Sequence, residues 1–322
     1  MRSVFLVKPS SLGDIVHTLP SLHALRQSLP DSRFFWVVNS EWSSLLLGNP
    51  DLAEVIAFPR QSFRGLMGAS KFLRWCRQLG RYQPDLVLDF QGLLRSAWIA
   101  RSTRGKVLLG LSDAREGARF FYRQTARVSA HQHSVERYLA LASLAGASIP
   151  EKLHFELPAG RAIPNFELPD RFVVLHPFAR GANKSLSPSE IYEVTRALAP
   201  LPVILVGSTD TDFRFALNAA SLVNETDLLQ LIWLLRRASF VVSVDSGPMH
   251  LAAAVSQRLL SIHFWSDPKQ VGPYRPDAWI WQNGHICRVR DLPNTSTKPP
   301  SPARPHPIQI GAFVQERLLQ TR

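Results

Sequence analysis

The stretch Phe240-Val241-Val242-Ser243-Val244-Asp245-Ser246-Gly247-Pro248-Met249-His250-Leu251-Ala252-Ala253-Ala254 constrains the fold more than any other part of the chain. Its apolar, β-branched first half fits a strand buried on both faces, as in a parallel sheet. The run enters an Asp-Ser-Gly corner and a helix follows at once, because Pro248 suits the first helical turn and Leu251 to Ala254 are good helix formers. In open α/β sheets, ligands bind at the carboxyl ends of such strands. The unpaired N–H groups of the helix start favour an anion there. Asp245 is placed to accept from hydroxyls, Gly247 lets a ligand approach the backbone, and His250 projects from the first turn. Helix capping accounts for Asp245 or Ser246 taken alone; with Gly247 and His250 added, a binding corner is the better reading.

The same strand–loop–helix order recurs along the chain. Ser3 to Val7 reads as a buried strand and Lys8 to Asp14 as a turn, after which Ile15, Leu19, Leu22, Leu25 and Leu29 recur at helical spacing. Pro20 is expected to kink this helix or to mark its true first turn. The loop lacks the dinucleotide GxGxxG pattern. Asp14 falls at the helix start, where the dipole stabilises a carboxylate and where a cleft at the strand's end would receive it. His17 is a weaker candidate on the same face. Further strands are expected at 34–38, 55–58, 85–90 and 106–111, with helices at 70–82, 93–100 and 134–145. From Ser70 to Tyr82, Phe72, Leu73, Cys76 and Leu79 mark a buried face, leaving Lys71, Arg74, Arg77 and Arg81 outside. With Arg60 and Arg64 these cations form either a solvated face or an anion-binding wall. His131 and His133 lack neighbouring Cys or carboxylate partners at ligand spacing, which argues against a metal site.

Leu157 to Asp170 is rich in Pro and polar residues and reads as a domain boundary. Beyond it the pattern restarts. Phe172 to Leu175 is a strand followed by a loop with Arg180 and Lys184; both are positioned to pair with phosphates. Ser187-Pro188-Ser189-Glu190 is a capped helix start. Val203 to Val206 is a strand ending at Gly207, Leu228 to Arg237 a helix, and Leu259 to Phe264 a strand with Trp265 to Pro268 as its loop. Asp291 to Pro307 is expected to be irregular and Ile308 to Leu319 a last amphipathic helix. Alternation of strands and helices on both sides of the boundary predicts an α/β chain of two doubly wound domains.

Composition limits the partners. The 322 residues are 45% hydrophobic, which is enough for two cores, and carry a formal net charge of +12. That charge calls for an anion: nucleic acid, an acidic membrane surface, or a phosphorylated or acidic substrate. The only cysteines, Cys76 and Cys287, exclude a disulfide framework and predict a reducing compartment. The N-terminus enters a strand without a signal-peptide pattern, and no apolar run approaches a membrane span, so a soluble protein able to sit on a membrane is expected.

VKPSSLGDIVHTLP at the N-terminus, DFQGLLRSA near residue 90, the Arg115–Glu116 loop, HSVER near residue 135 and VVSVDSGPMHLAAA together resemble the glycosyltransferase family 9 heptosyltransferases. The resemblance spans both halves in the same order. It implies a GT-B fold: two facing Rossmann-like domains, with residues 1–160 binding the acceptor, 170–305 binding the nucleotide sugar, and a helix in 306–322 crossing back to the first domain. It also implies inverting transfer of heptose from ADP-heptose to Kdo of the lipopolysaccharide inner core, with no essential metal and no cofactor, at the cytoplasmic face of the inner membrane. Asp14 matches the family's catalytic base. Lys184 matches its phosphate lysine; Asp245, Ser246, Gly247, Pro248 and His250 match the donor corner, and Thr226 falls where adenine is met. Acceptor contacts are implied at Ser10, Ser11, Gly13, Arg60, Arg64, Gln91 and Arg115, which supplies the anion that the charge demands.

The chain departs from the family pattern at Phe178 and Ala179, where ADP-heptose enzymes carry hydroxyls, and at Thr211, where they carry a ribose-contacting Glu. These positions bear on the donor. The alternatives are a family 9 enzyme with another nucleotide sugar or acceptor, or a basic non-catalytic protein that binds a glycolipid or nucleic acid. No nucleic-acid module is recognisable, and none is expected as a partner.

Overall fold

The computed structural model describes residues 2–65, 67–264, 266–292 and 303–320. The chain divides into two compact units, Met1–Pro158 and Ala159–Arg322. In the first, the elements run β1 (Ser3–Val7), α1 (Leu12–Ser28), β2 (Arg33–Asn39), β3 (Glu54–Phe58), α2 (Gly68–Leu79), β4 (Leu86–Asp89), α3 (Leu94–Ser102), β5 (Val107–Leu111), β6 (Gln124–Ala126) and α4 (Ser134–Leu144). The strands form one parallel sheet in the order β3-β2-β1-β4-β5-β6. Runs such as Val4–Val7 and Phe34–Val38 are apolar throughout because helices cover both faces of the sheet. α1 and α4 pack together on one face. α2 and α3 cover the other, where Cys76, Leu79, Ile99 and Ala100 meet Phe5, Val7, Phe35 and Val87.

The second unit runs β7 (Val173–His176), α5 (Pro188–Ala197), β8 (Val203–Leu205), β9 (Ala219–Ser221), α6 (Leu228–Arg237), β10 (Phe240–Val244), α7 (Gly247–Val255), β11 (Leu259–Ile262), α8 (Pro268–Val271), β12 (Trp279–Gln282), β13 (His285–Arg288) and α9 (Pro307–Leu319). Its sheet order is β13-β12-β11-β10-β7-β8-β9, parallel except for the β12–β13 hairpin. In both sheets the winding direction reverses once, between β1 and β4 in the first and between β7 and β10 in the second. Such switch points open a crevice beyond the strands' carboxyl ends.

Several expectations need correction. α1 begins at Leu12 and runs through Pro20, which therefore neither opens nor ends the helix; the buried apolar flank from Ile15 to Leu25 holds the helix together across the missing hydrogen bond. Leu73 is 52% exposed, because the buried stripe of α2 runs through positions 72, 75, 76 and 79, and residue 73 points a quarter-turn away. The last helix contributes to the core of the second unit. Ile310, Val314 and Leu318 of α9 lie in the core of the second unit, and Gly311 packs against the backbone of Ala197 at the end of α5. Gln315 caps that end by donating to the carbonyls of Ala197 and Ala199. The division between the units falls within the expected boundary segment, and from Ala159 on that segment belongs to the second unit: Gly160 lies on the backbone of Trp233, and the Arg161 N–H donates to the Leu229 carbonyl. Much of the expected irregular stretch 291–307, together with Trp265, lies outside the described residues.

Candidate functional site

The first unit's crevice gathers Ser10, Arg60 and Gln91, three of the seven sequence-predicted acceptor residues. Pro9 and Ser10 after β1, Asn39 at the end of β2, Phe58 and Arg60 at β3, Gln91 and Leu93 after β4, Arg95, Ser96 and Ile99 of α3, and Glu116 line a cleft of about 260 Å³. Gln91 Oε1 accepts from the Ser10 N–H at 3.2 Å and so ties the two switch-point loops together. Ser11 and Gly13 belong to the start of α1, while Arg64 and Arg115 lie outside the cleft walls and are exposed. Lys71, Arg74, Arg77 and Arg81 are exposed as expected. Asn39, Arg95 and Glu116 were not anticipated. Asn39 is 2% exposed, and its Oδ1 has no hydrogen-bond partner among the described residues although it borders the cleft.

Asp14 stands at the third position of α1. Its Oδ2 accepts from both the N–H (3.0 Å) and the hydroxyl (2.7 Å) of Ser11, so Asp14 does cap its own helix. Its Oδ1 accepts from the Tyr138 hydroxyl at 2.6 Å and lies 3.6 Å from Lys8 Nζ. Lys8 is 3% exposed, donates to the Phe90 carbonyl at 3.1 Å and sits 4.7 Å from the centre of the Tyr138 ring. Burial alone pushes the Asp14 carboxyl up, but the Lys8 charge, the Tyr138 hydroxyl and Ser11 together hold it well below the usual carboxylate range. Burial in turn draws the Lys8 ammonium down, against the pull of Asp14 and Asp89. The result is a carboxylate held towards its ionised form and partly open to solvent. Neither Lys8 nor Tyr138 was singled out from the sequence, because a buried lysine has no periodic signature and Tyr138 reads as a core residue of α4.

Beneath the cleft lies a second carboxylate, Asp89. It is fully buried and accepts from the Tyr122 hydroxyl (2.8 Å), the Ser96 hydroxyl (2.8 Å) and the Gln91 and Gly92 N–H groups. Burial pushes its carboxyl up, and these four donors oppose the shift. Gly110 is needed beside it: a Cβ there would lie 2.2 Å from the Tyr122 ring. His17 is buried, its ring in edge contact with His133 at 5.0 Å, and His133 caps α4 by accepting from the Val135 N–H. No group of three or more metal-ligating side chains occurs among the described residues.

In the second unit the Asp245-Ser246 corner falls at the β7/β10 switch point, where Ser243 pairs in register with His176. Ser246 does not cap α7 through its side chain; its hydroxyl pairs with His176 Nδ1 at 3.2 Å and the Val244 carbonyl at 3.1 Å. Burial draws the His176 imidazole down to about 4, so it is neutral at ordinary pH. Gly207, at φ +125°, makes room for it, since a Cβ there would meet the His176 ring at 3.0 Å. Asp245, Ser246, Gly247 and Pro248 are half-buried along this corner and His250 is buried behind them. Arg180 and Lys184 are exposed on the loop after β7, which Ser185 staples by bonding the N–H and carbonyl of Ala179. Thr226 immediately precedes Asp227, the N-cap of α6. Of the departures from the family pattern, Phe178 is a core residue, in edge contact with Phe213, while Thr211 is exposed.

Two doubly wound units, each with its polar residues gathered at a switch point, define the GT-B class of glycosyltransferase. Residues 72–299 match the family described as "Glycosyltransferase family 9 (heptosyltransferase)", and the chain belongs to that family. It is 30% identical over 295 residues to lipopolysaccharide heptosyltransferase 1 of Pseudomonas aeruginosa, covering 84% of this chain and 81% of that protein. It is 28% identical over 306 residues to lipopolysaccharide heptosyltransferase 1 of Escherichia coli K12, covering 89% and 93%. Among solved structures, E. coli heptosyltransferase WaaC with ADP matches at a TM-score of 0.75 and 23% identity, over 98% of this chain and 99% of that one. The same enzyme with ADP-2-deoxy-2-fluoro heptose matches at 0.76. The glycosyl transferase family 9 structure from Veillonella parvula matches at 0.77 and 16% identity, over 99% and 98%.

Proposed function

We propose that this glycosyltransferase moves heptose from ADP-heptose to a Kdo-type sugar of the lipopolysaccharide inner core, with inversion and without a metal, at the inner face of the inner membrane. The observation that carries the reading is Asp14, a carboxylate beside Lys8 and Tyr138 whose bonding partner Ser11 directly follows the cleft residue Ser10. An acceptor hydroxyl attacks the anomeric carbon, the bond to ADP breaks with its electron pair leaving on the diphosphate, and Asp14 takes the hydroxyl proton. Its low basicity suits a late proton transfer, made when the attacking oxygen has already bonded to carbon and become strongly acidic. Arg180 and Lys184 carry the positive charge that the departing diphosphate requires. Asp245 and the backbone from Ser246 to Pro248 hold the sugar nucleotide, with His250 behind them, and Thr226 meets adenine. Arg60, Arg95 and Gln91 bind the acidic acceptor, and Asn39 Oδ1 receives one of its hydroxyls. Ser10, Ser11, Gly13, Arg64 and Arg115 complete the acceptor contacts. The names and nucleotide ligands of the relatives support the donor and the pathway.

The test is to incubate the protein with ADP-heptose and a Kdo-bearing acceptor in the presence of a chelator. The expected result is ADP release matched by an acceptor one heptose heavier, whose new linkage has the inverted configuration by NMR. Asp14→Ala is expected to keep nucleotide binding and to lose transfer. Full turnover in that variant removes Asp14 as the base; transfer from another nucleotide sugar alone changes the donor.

A further inference from the structure

Three elements form the outer layer on one side of the first sheet: α2, α3 and the 3-10 turn Ala118–Phe121. Their inner sides fill the core with Cys76, Leu79, Ile99 and Ala100, backed by Phe72, Trp75 and Phe121. Their outer sides are unusual. Leu73 (52%), Leu94 (45%), Trp98 (45%) and Phe120 (94%) are all exposed, as is Met67 just before α2. Between them stand six exposed cations: Lys71, Arg74 and Arg77 on α2, Arg95 and Arg101 on α3, and Arg119 on the turn. The three elements contain no Asp or Glu at all. None of the six cations pairs with a carboxylate among the described residues, whereas other surface cations such as Lys106 and Arg196 do. Single exposed hydrophobics are ordinary. A layer whose three elements interleave aromatic and aliphatic tips with cations, with Glu116 at its border on the Leu94 N–H, has the composition of an interfacial surface.

We infer that this face docks on an anionic lipid bilayer, with Phe120 and Trp98 entering the headgroup level and the cations resting on acidic headgroups. The inference rests on the reading that the acceptor is a membrane glycolipid. No helix among the described residues is long and apolar enough to cross a membrane, so attachment through this face relies on charge and shallow insertion. The layer is also continuous with the acceptor cleft. Arg95 and Ile99 of α3 line that cleft, while Trp98 and Arg101 of the same helix look outward. Docking here holds the cleft mouth beside the surface that carries the acceptor.

The full-length protein is floated with vesicles of phosphatidylglycerol and phosphatidylethanolamine, and with phosphatidylcholine vesicles alone. Binding to the acidic vesicles only, weakening with salt, is expected. Joint replacement Arg101→Ser and Arg119→Ser should lower partitioning by about 25-fold, at about fivefold per cation. Trp98→Ser with Phe120→Ser should lower it by at least about tenfold. Both variants should retain transfer to a water-soluble acceptor, which separates loss of docking from loss of chemistry. If the wild type transfers nothing but the variants lose vesicle binding as stated, the docking face stands and the proposed reaction falls. Unchanged vesicle binding in both variants overturns the docking face. So does a wild-type dimer that Phe120→Ser converts to monomer in light scattering, which would assign the patch to a second copy of the chain.

Discussion

Replacing Lys8 by Met tests how the proposed base is kept ionised. Met fills nearly the same buried channel and removes only the charge, so the Phe90 carbonyl loses a donor and Asp14 loses its cation at 3.6 Å. Two unit charges at this separation attract by about 4 kcal/mol at an effective dielectric constant near 20. The Asp14 side chain is 31% exposed, so solvent screens part of that attraction. Tyr138 and Ser11 remain, and each hydrogen bond to a charged group is worth about 1.5–3 kcal/mol. The Asp14 carboxyl should therefore bind its proton more tightly by about one to three pH units in the variant. The sign follows from the geometry: removing a cation favours the neutral acid, so the acid limb of the kcat/KM profile moves upward. In the wild type, Asp14 stays ionised throughout the range in which the protein can be assayed; in Lys8→Met the limb should enter that range from below. The carboxyl carbon resonance of Asp14, assigned by its loss in Asp14→Asn, reports the same shift without turnover. Tyr138→Phe should move the limb in the same direction by less. An Asp14 resonance that titrates identically in wild type and Lys8→Met would refute the reasoning.

Other outcomes follow from neighbouring features. Lys184→Ala should weaken donor affinity by about 1.5–3 kcal/mol in calorimetric titration, through loss of a charge-assisted contact, with no change in unfolding midpoint because the side chain is exposed. His176 takes up its proton only near pH 4 in the folded protein against 6.5 when unfolded, so the unfolded state binds more protons as pH falls through that window. Stability should therefore drop on acidification from 6.5 towards 4, by about 3 kcal/mol at about 1.4 kcal/mol per pH unit, and His176→Gln should flatten the slope in urea midpoints. Gly110→Ala should destabilise by about 1–3 kcal/mol, since its methyl group must displace the Tyr122 ring; Tyr122→Phe, which removes only the hydroxyl, separates loss of the Asp89 contact from the clash.

Fold class was legible because parallel strands buried on both faces are continuous apolar runs, and several, such as β1, β4, β7 and β10, end in a polar loop before a helix. Ser3–Val7, Phe240–Val244 and the helices that follow them needed nothing else. The short edge strands Gln124–Ala126 and Ala219–Ser221 escaped because three residues carry no period; neighbouring strands impose them. The Trp279–Arg288 hairpin carried a signal that went unread: Asn283-Gly284, both at positive φ, between two short apolar runs. Of the site, the glycines, Asp14 and the Asp245 corner stood out because their residue types sit at strand ends. Lys8, Tyr138, Asn39 and His176 did not. Tyr138 and His176 act through partners far away in sequence, Asp14 and Ser246, and Lys8 and Asn39 are placed by burial; only the folded chain makes those arrangements.

Asp89 limits how the first unit's cleft can change. A single buried carboxylate fastens the loop after its own strand, the start of α3 and, through Tyr122, the segment beyond β5. Loops bound to one another in this way cannot drift separately, for a change in any of them would strand an ionisable group in the core. A new ligand must then be accommodated by exchanging side chains on an unchanging backbone, at cleft positions such as Arg60, Arg95 and Asn39. The loop from Ala179 to Ser185 is closed by one serine and tied at its end by Arg304 to the Ser185 carbonyl, but it holds no carboxylate, and insertions there are cheap. Within one chain, the crevice of the first unit is built to change by substitution and the loop after β7 by length.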